Sequence, residues 1–142
     1  MSDFKIYFES TIPKSSVKDL RKLFAKYTYI LEREIRILRV GLKGARSDVQ
    51  GEAATLTMRQ YNWASIALDP EFFTIPDDEQ ERTVAHEVIH VLHDIFSDEV
   101  NQVLLHFVPE NARAFVEERL ECCEERVVDT LGNALYETMR KR

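Results

Sequence analysis

The sequence predicts an α+β fold in a single domain, and three observations predict it. Short β-type runs alternate with one amphipathic helical stretch in the first half of the chain. After about residue 76 the two-residue alternation disappears and helical spacing takes over. No repeat or low-complexity segment divides the 142 residues, and their 44% hydrophobic and 31% charged fractions suit one globular core.

The elements follow in order. Phe4, Ile6 and Phe8 alternate with polar residues and predict a short first strand. Pro13-Lys14-Ser15-Ser16 opens a helix over roughly 15–32, in which Val17, Leu20, Leu23, Phe24, Tyr27 and Leu31 keep helical spacing. Ile35, Ile37 and Val40 predict a strand ended by Gly41 to Gly44, and a polar connection over roughly 44–51 follows. Thr55 to Met58 and Trp63 to Leu68 predict two further strands, the latter closed by Asp69-Pro70. Together these make a small mixed sheet with an N-terminal helix. Pro76-Asp77-Asp78 leads into the next helix, whose motif-bearing part is Thr83 to Phe96. Ser97-Asp98-Glu99 reads as a cap for a separate short helix through Phe107. Pro109 interrupts it, and a long helix runs from about Glu110 to Met139.

Composition excludes several classes of function. No apolar run reaches the length of a membrane span. The N-terminus, MSDFKIYFES, has an early acid and no long apolar stretch, so it does not read as a signal peptide and the expected compartment is the cytoplasm. A net charge of −6 argues against a broad nucleic-acid surface. Arg33, Arg36, Arg39, Lys43 and Arg46 form the best local basic patch, and a solvated face accounts for them. Cys122 and Cys123 are adjacent, cannot staple distant segments and lack C-x-x-C spacing; they are expected to pack on a helix.

The most specific signal is His86-Glu87-Val88-Ile89-His90. On a helix the two histidines stand one turn apart on one face, where two imidazoles can hold one metal ion. Glu87 stands beside them as a carboxylate able to take a proton from water that the ion activates. Val84, Val88, Val91, Leu92 and Ile95 fall on one side of this helix; His86, Glu87, His90, His93 and Asp94 fall on the other. An ordinary amphipathic helix with a solvated face leaves unexplained why three of the four histidines cluster there.

Two histidines need a third protein ligand for a catalytic metal. His93 lies seven residues from His86, about 10 Å of helix rise, too far to share the ion. Ten residues after His86 stands Phe96, so no third histidine follows in helical sequence. His106 lies among Leu104, Leu105 and Phe107 and reads as partly buried. The long helix offers Glu121, Glu124 and Glu125. Helix phase favours Glu124, which falls inside the apolar stripe Leu120, Val127, Val128, Leu131 and Leu135; a lone carboxylate there is costly unless paired or metal-bound. Glu125 lies at the edge of the stripe, with Asp129 one turn on, supplying a ligand and an acid to orient a ligating histidine. Glu117 and Glu118 read as a solvated face.

His86-Glu87-Val88-Ile89-His90, followed by a glutamate on a later helix, resembles the gluzincin metallopeptidases. Their third ligand opens a glutamate, three residues, aspartate pattern with apolar residues and a glycine after it. Glu125-Arg126-Val127-Val128-Asp129, then Leu131 and Gly132, is similar to that pattern. Asp94, eight residues after His86, resembles an acid that follows the family's first histidine. Size and order resemble the small single-domain metallopeptidases of bacterial and phage genomes. The resemblance is specific over about 83–96 and 121–135, and the chain lacks the large helical domain of secreted gluzincins. It implies a minimal zincin-like domain spanning the chain and a hydrolase that cleaves a protein or peptide substrate. It further implies Zn²⁺ on His86, His90 and Glu125, with Glu124 as the alternative third ligand. Glu87 would be the general base, and Asp129 and Asp94 would support the ligands. The family's oxyanion donor has no motif here; Tyr61, His106 and Tyr136 are the candidates. Trp63 to Leu68 is the strand expected to present an open edge to the substrate. The competing expectation is a non-catalytic binding or regulatory protein whose metal staples the histidine helix to the last helix. A metal-free helical interaction protein ranks third.

Overall fold

The computed structural model describes residues 3–43, 53–58 and 62–141. The connection expected over 44–51, Arg46 and Tyr61 lie outside the described residues.

Four strands form one mixed sheet: β1 (Lys5–Phe8), β2 (Ile37–Leu42), β3 (Ala53–Met58) and β4 (Trp63–Leu68). The order across the sheet is β1-β2-β4-β3. β1, β2 and β4 are parallel, in the register Lys5↔Ile37 and Ile37↔Trp63, and β3 runs antiparallel to β4 from Ala53↔Leu68 to Met58↔Trp63. The expectation for Trp63 to Leu68 is therefore corrected. It is an inner strand, and β3 is the edge on that side, because the chain passes beyond the β4 position before turning back into it. Asn62 precedes β4 at φ 56°, a backbone conformation that asparagine tolerates better than most residues. Its carbonyl accepts from the Arg36 and Ile37 amides at 2.9 and 3.3 Å, fixing where β4 starts beside β2.

Three helices complete the fold: α1 (Lys14–Tyr27), α2 (Asp77–His106) and α3 (Arg113–Arg140). α1 and α2 cover one face of the sheet. Leu20, Phe24 and Tyr27 of α1, Leu38 and Val40 of β2, Ala64, Ile66 and Leu68 of β4 and Val84, Val88, Val91 and Ile95 of α2 form a continuous core. The period-two burial of β4 and the helical burial of α2 are the packed forms of the patterns in the sequence. On the opposite face Tyr7 and Arg39 are exposed, and the Arg39 guanidinium sits 5.5 Å from the Trp63 ring centroid.

Several boundaries differ from the expectation. α1 ends at Tyr27, and a 3-10 turn over Thr28–Ile30 carries Leu31 and Ile35 into the core. Ile35 is buried without being in the strand, and its amide donates to the Leu31 carbonyl at 3.0 Å. Gly41 does not end β2 but pairs with Ala67 inside it. α2 is a single helix of 30 residues, so Ser97-Asp98-Glu99 does not cap a second one. No proline or glycine falls between Asp77 and His106, and capping residues alone do not stop a helix. Glu110–Ala112 forms a 3-10 turn before α3 begins. Cys122 and Cys123 are free and exposed rather than packed, because the first half of α3 has no buried face.

Candidate metal centre

α2 and α3 run antiparallel, and one glycine sets how closely they approach. A Cβ built on Gly132 would lie 3.1 Å from His86 Cα, so a side chain there has no free space. Val128, Gly132, Tyr136 and Met139 form the buried face of α3. Below this contact Val84, Val88 and Val91 hold α2 on the core. The polar side of α2 therefore faces another helix over its middle third, not open solvent.

The resulting ladder follows the two chain directions. His86 and His90, one turn apart, have ring centroids 4.7 Å apart at an interplanar angle of 73°. Asp129 Oδ1 lies 3.1 Å from His86 Nδ1. Glu125, one turn earlier on α3, brings Oε1 to 3.3 Å from His90 Nε2 and Oε2 to 4.0 Å from His86 Nε2. With its Nδ1 proton directed at Asp129, a neutral His86 has its lone pair on Nε2, on the side of Glu125. Glu87 is 5% exposed, and its carboxylate lies within 4.8 Å of donor atoms of both histidines.

Two groups of donors at this point, His86, Glu87 and His90, and His86, Glu125 and Asp129, each lie within 4.8 Å of one another and could hold a metal ion. Two ligands about 2.1 Å from an ion at the tetrahedral angle stand about 3.4 Å apart. His90 Nε2 stands 3.3 Å from Glu125 Oε1, near that edge, and His86 Nε2 stands 4.0 Å from the other oxygen, Oε2, which is wider than it. Two imidazoles and a carboxylate are also a donor set that zinc accepts, as do several other first-row divalent ions. Glu125 and Asp129 are more than half exposed, which leaves the open side of the cluster toward solvent.

The remaining candidates are distributed differently. Glu124 is not beside His86; its Oε1 lies 3.3 Å from His93 Nδ1, and it shares a second group of donors with His90 and Asp94. Helix phase and motif spacing thus selected two neighbouring carboxylates that address two different rungs of α2. Val127 and Leu131, expected in the apolar stripe, are 43% and 47% exposed, and the contact line of α3 runs through Val128, Gly132 and Tyr136. His106 is exposed at the end of α2, about 24 Å of helix rise from His90, and not partly buried. Glu121 is exposed, and no group of three potential ligands among the described residues includes it or His106. Tyr136 is 3% exposed and packs with the Arg82 guanidinium 4.8 Å from its ring centroid.

No family model, curated protein or solved structure matches the chain.

His93 pairs with Glu124, a contact that spans 31 residues and has no local pattern in the sequence. The sequence shows only the placement of His93 and Asp94 on the polar side of α2, where helix rise keeps His93 from sharing an ion with His86.

Proposed function

We propose that this chain is a zinc-dependent metallopeptidase with a minimal zincin-like domain. The observation that carries the reading is the convergence of His86 Nε2, His90 Nε2 and the Glu125 carboxylate from two helices. A zinc ion held by these three residues would polarise a scissile carbonyl and lower the pKa of water.

The chain's own residues supply the rest. Glu87, between the two histidines and nearly buried, takes the proton from the attacking water and delivers it to the leaving amine. Asp129 holds His86 in the tautomer that presents Nε2. β3 packs beside α2 and, among the described residues, pairs only with β4, so its other edge is available to an extended peptide. Strand addition there would lay the peptide alongside the histidine helix, with backbone hydrogen bonds supplying much of the binding.

Glu87→Gln tests the reading. The variant should retain zinc, measured by elemental analysis, and lose peptide hydrolysis by at least about 100-fold, the ordinary contribution of a general base. Full activity in Glu87→Gln removes the mechanism. Stoichiometric zinc without cleavage of any peptide in a mixed library would instead favour the metal-stapled binding protein.

A further inference from the structure

β1 closes the sheet at the end away from β3, and its outer side is open. Among the described residues β1 pairs with β2 alone. The Lys5 and Glu9 amides each donate at 2.8 Å, to the Arg36 and Val40 carbonyls. Alternation then turns the amides and carbonyls of Ile6 and Phe8 the other way, toward the open edge. Beside that edge lies a groove of about 470 Å³. Ile6 and Tyr7 belong to its strand side; Arg21, Ala25, Thr28 and Glu32 belong to the side built by α1 and the turn after it. These four follow one another at steps of four, three and four residues, which is one stripe along a helix. Ala25 is exposed, and its methyl group leaves the middle of the groove open. Phe4, Ile6 and Phe8 pack on the core and stay only partly buried, so the core is incompletely covered along this edge.

We propose that this groove is a docking site for an extended acidic segment of a partner protein, which adds to the sheet beside β1. An edge strand with a helix-walled groove next to it offers what strand addition needs: backbone groups to pair with and a trough for alternate side chains. The charges name the occupant. Arg21 stands at the Phe8 end of the groove, its guanidinium 5.1 Å from the Phe8 ring centroid. Lys18 and Lys14, both exposed, continue the same stripe one and two turns earlier. Carboxylates on the docked segment would meet this row of cations, and Glu32 at the other end of the groove keeps them to the Phe8 end. A second copy of this chain is the poorer occupant, because pairing β1 with β1 would set two such cationic rows, and Lys5 of each copy, against one another. β2 and β4 separate this edge from β3, so docking here requires neither the metal centre nor hydrolysis.

Panning a random displayed peptide library against the full chain tests this. The recovered peptides should alternate apolar residues and carry acids at one end. One of them, synthesised, should slow hydrogen exchange at the Ile6 and Phe8 amides, read by NMR, and leave the β3 amides unchanged. Two substitutions at exposed positions separate docking from folding. Ala25→Trp should fill the groove and abolish binding, and Arg21→Glu should weaken it roughly 10-fold, with helix content unchanged in both. Recovery of no peptide, or of peptides that leave the Ile6 and Phe8 amides unprotected, overturns the site. Protection confined to β3 also overturns it and assigns the peptides to the edge proposed for the substrate. Protection of the Ile6 and Phe8 amides that grows with protein concentration in the absence of peptide overturns the assignment to a partner and gives the edge to a second copy.

Discussion

An imidazole binds a metal only through the nitrogen that has no proton, and at His86 the Asp129 carboxylate decides which nitrogen that is. The 3.1 Å contact to Nδ1 leaves Nε2 for the side where Glu125 stands. Asp129→Ala should therefore weaken zinc binding about 10- to 100-fold, read by competition with a chromophoric chelator, while the helix content stays unchanged. Asp129 is largely exposed, so the substitution leaves no buried hole. An unchanged affinity would show that the contact does not orient the ring. The motif itself was legible at this scale, because five consecutive residues carry it and helix geometry alone brings His86 and His90 together. The choice between Glu124 and Glu125 was not, since phase within one helix does not give the rotation of that helix against its neighbour.

Between elements, the decisive contact is a missing side chain. Gly132 lets α3 approach His86 to backbone distance, and that approach is what carries Asp129 and Glu125 to the histidines. Gly132→Val should destabilise the protein by about 1–3 kcal/mol through overpacking, measured by denaturant unfolding, and should also weaken zinc binding. Loss of stability with zinc affinity intact would mean that the ligands do not depend on the helix spacing. A second tie joins α1 to α2. The Tyr27 hydroxyl donates to Glu81 Oε1 at 2.5 Å, and Lys26 Nζ pairs with the same oxygen. The sequence assigned Tyr27 to the apolar stripe of α1 and left Glu81 without a role, because a bond spanning 54 residues has no local pattern. The length of α2 departs from its local signals for the opposite reason. Ser97-Asp98-Glu99 is a valid local cap signal, yet α2 continues through it and ends at His106.

For the whole molecule, the Glu81 cluster predicts how stability varies with pH. Burial alone would raise Glu81, but the hydrogen bonds from Lys26 and Tyr27 and the lysine charge bring it below the ordinary value of 4.5. The unfolded chain then takes up the proton first, so this contribution is complete above about pH 4.5 and is lost as pH falls through the lowered folded value. Burial, followed by the hydrogen bond and charge of Glu81, pushes Tyr27 up from 10.0, so its contribution is complete below that value and is lost at higher pH. Unfolding midpoints in denaturant should fall at both ends of the pH scale. Glu81→Gln should flatten the acid limb; an unchanged acid limb would remove the cluster from the account. Zinc at 100 times its dissociation constant should add about 2.7 kcal/mol, a gain that a chelator reverses. No helix among the described residues is long and apolar enough to cross a membrane.

By itself, the sequence determined the α+β layout, the strands at 4–8 and 63–68, and the pairing of His86 with His90. Each rests on a period of two or 3.6 residues, which the backbone imposes locally. Tertiary structure alone decided that Trp63–Leu68 is an inner strand and Ala53–Met58 the edge on that side, since strand order depends on where the chain crosses rather than on composition. It also assigned the neighbouring acids: Glu125 stands by His86 and His90, and Glu124 stands by His93. That assignment depends on how α3 is rotated on α2, which the buried residues Val128, Gly132 and Tyr136 set through packing far from the motif.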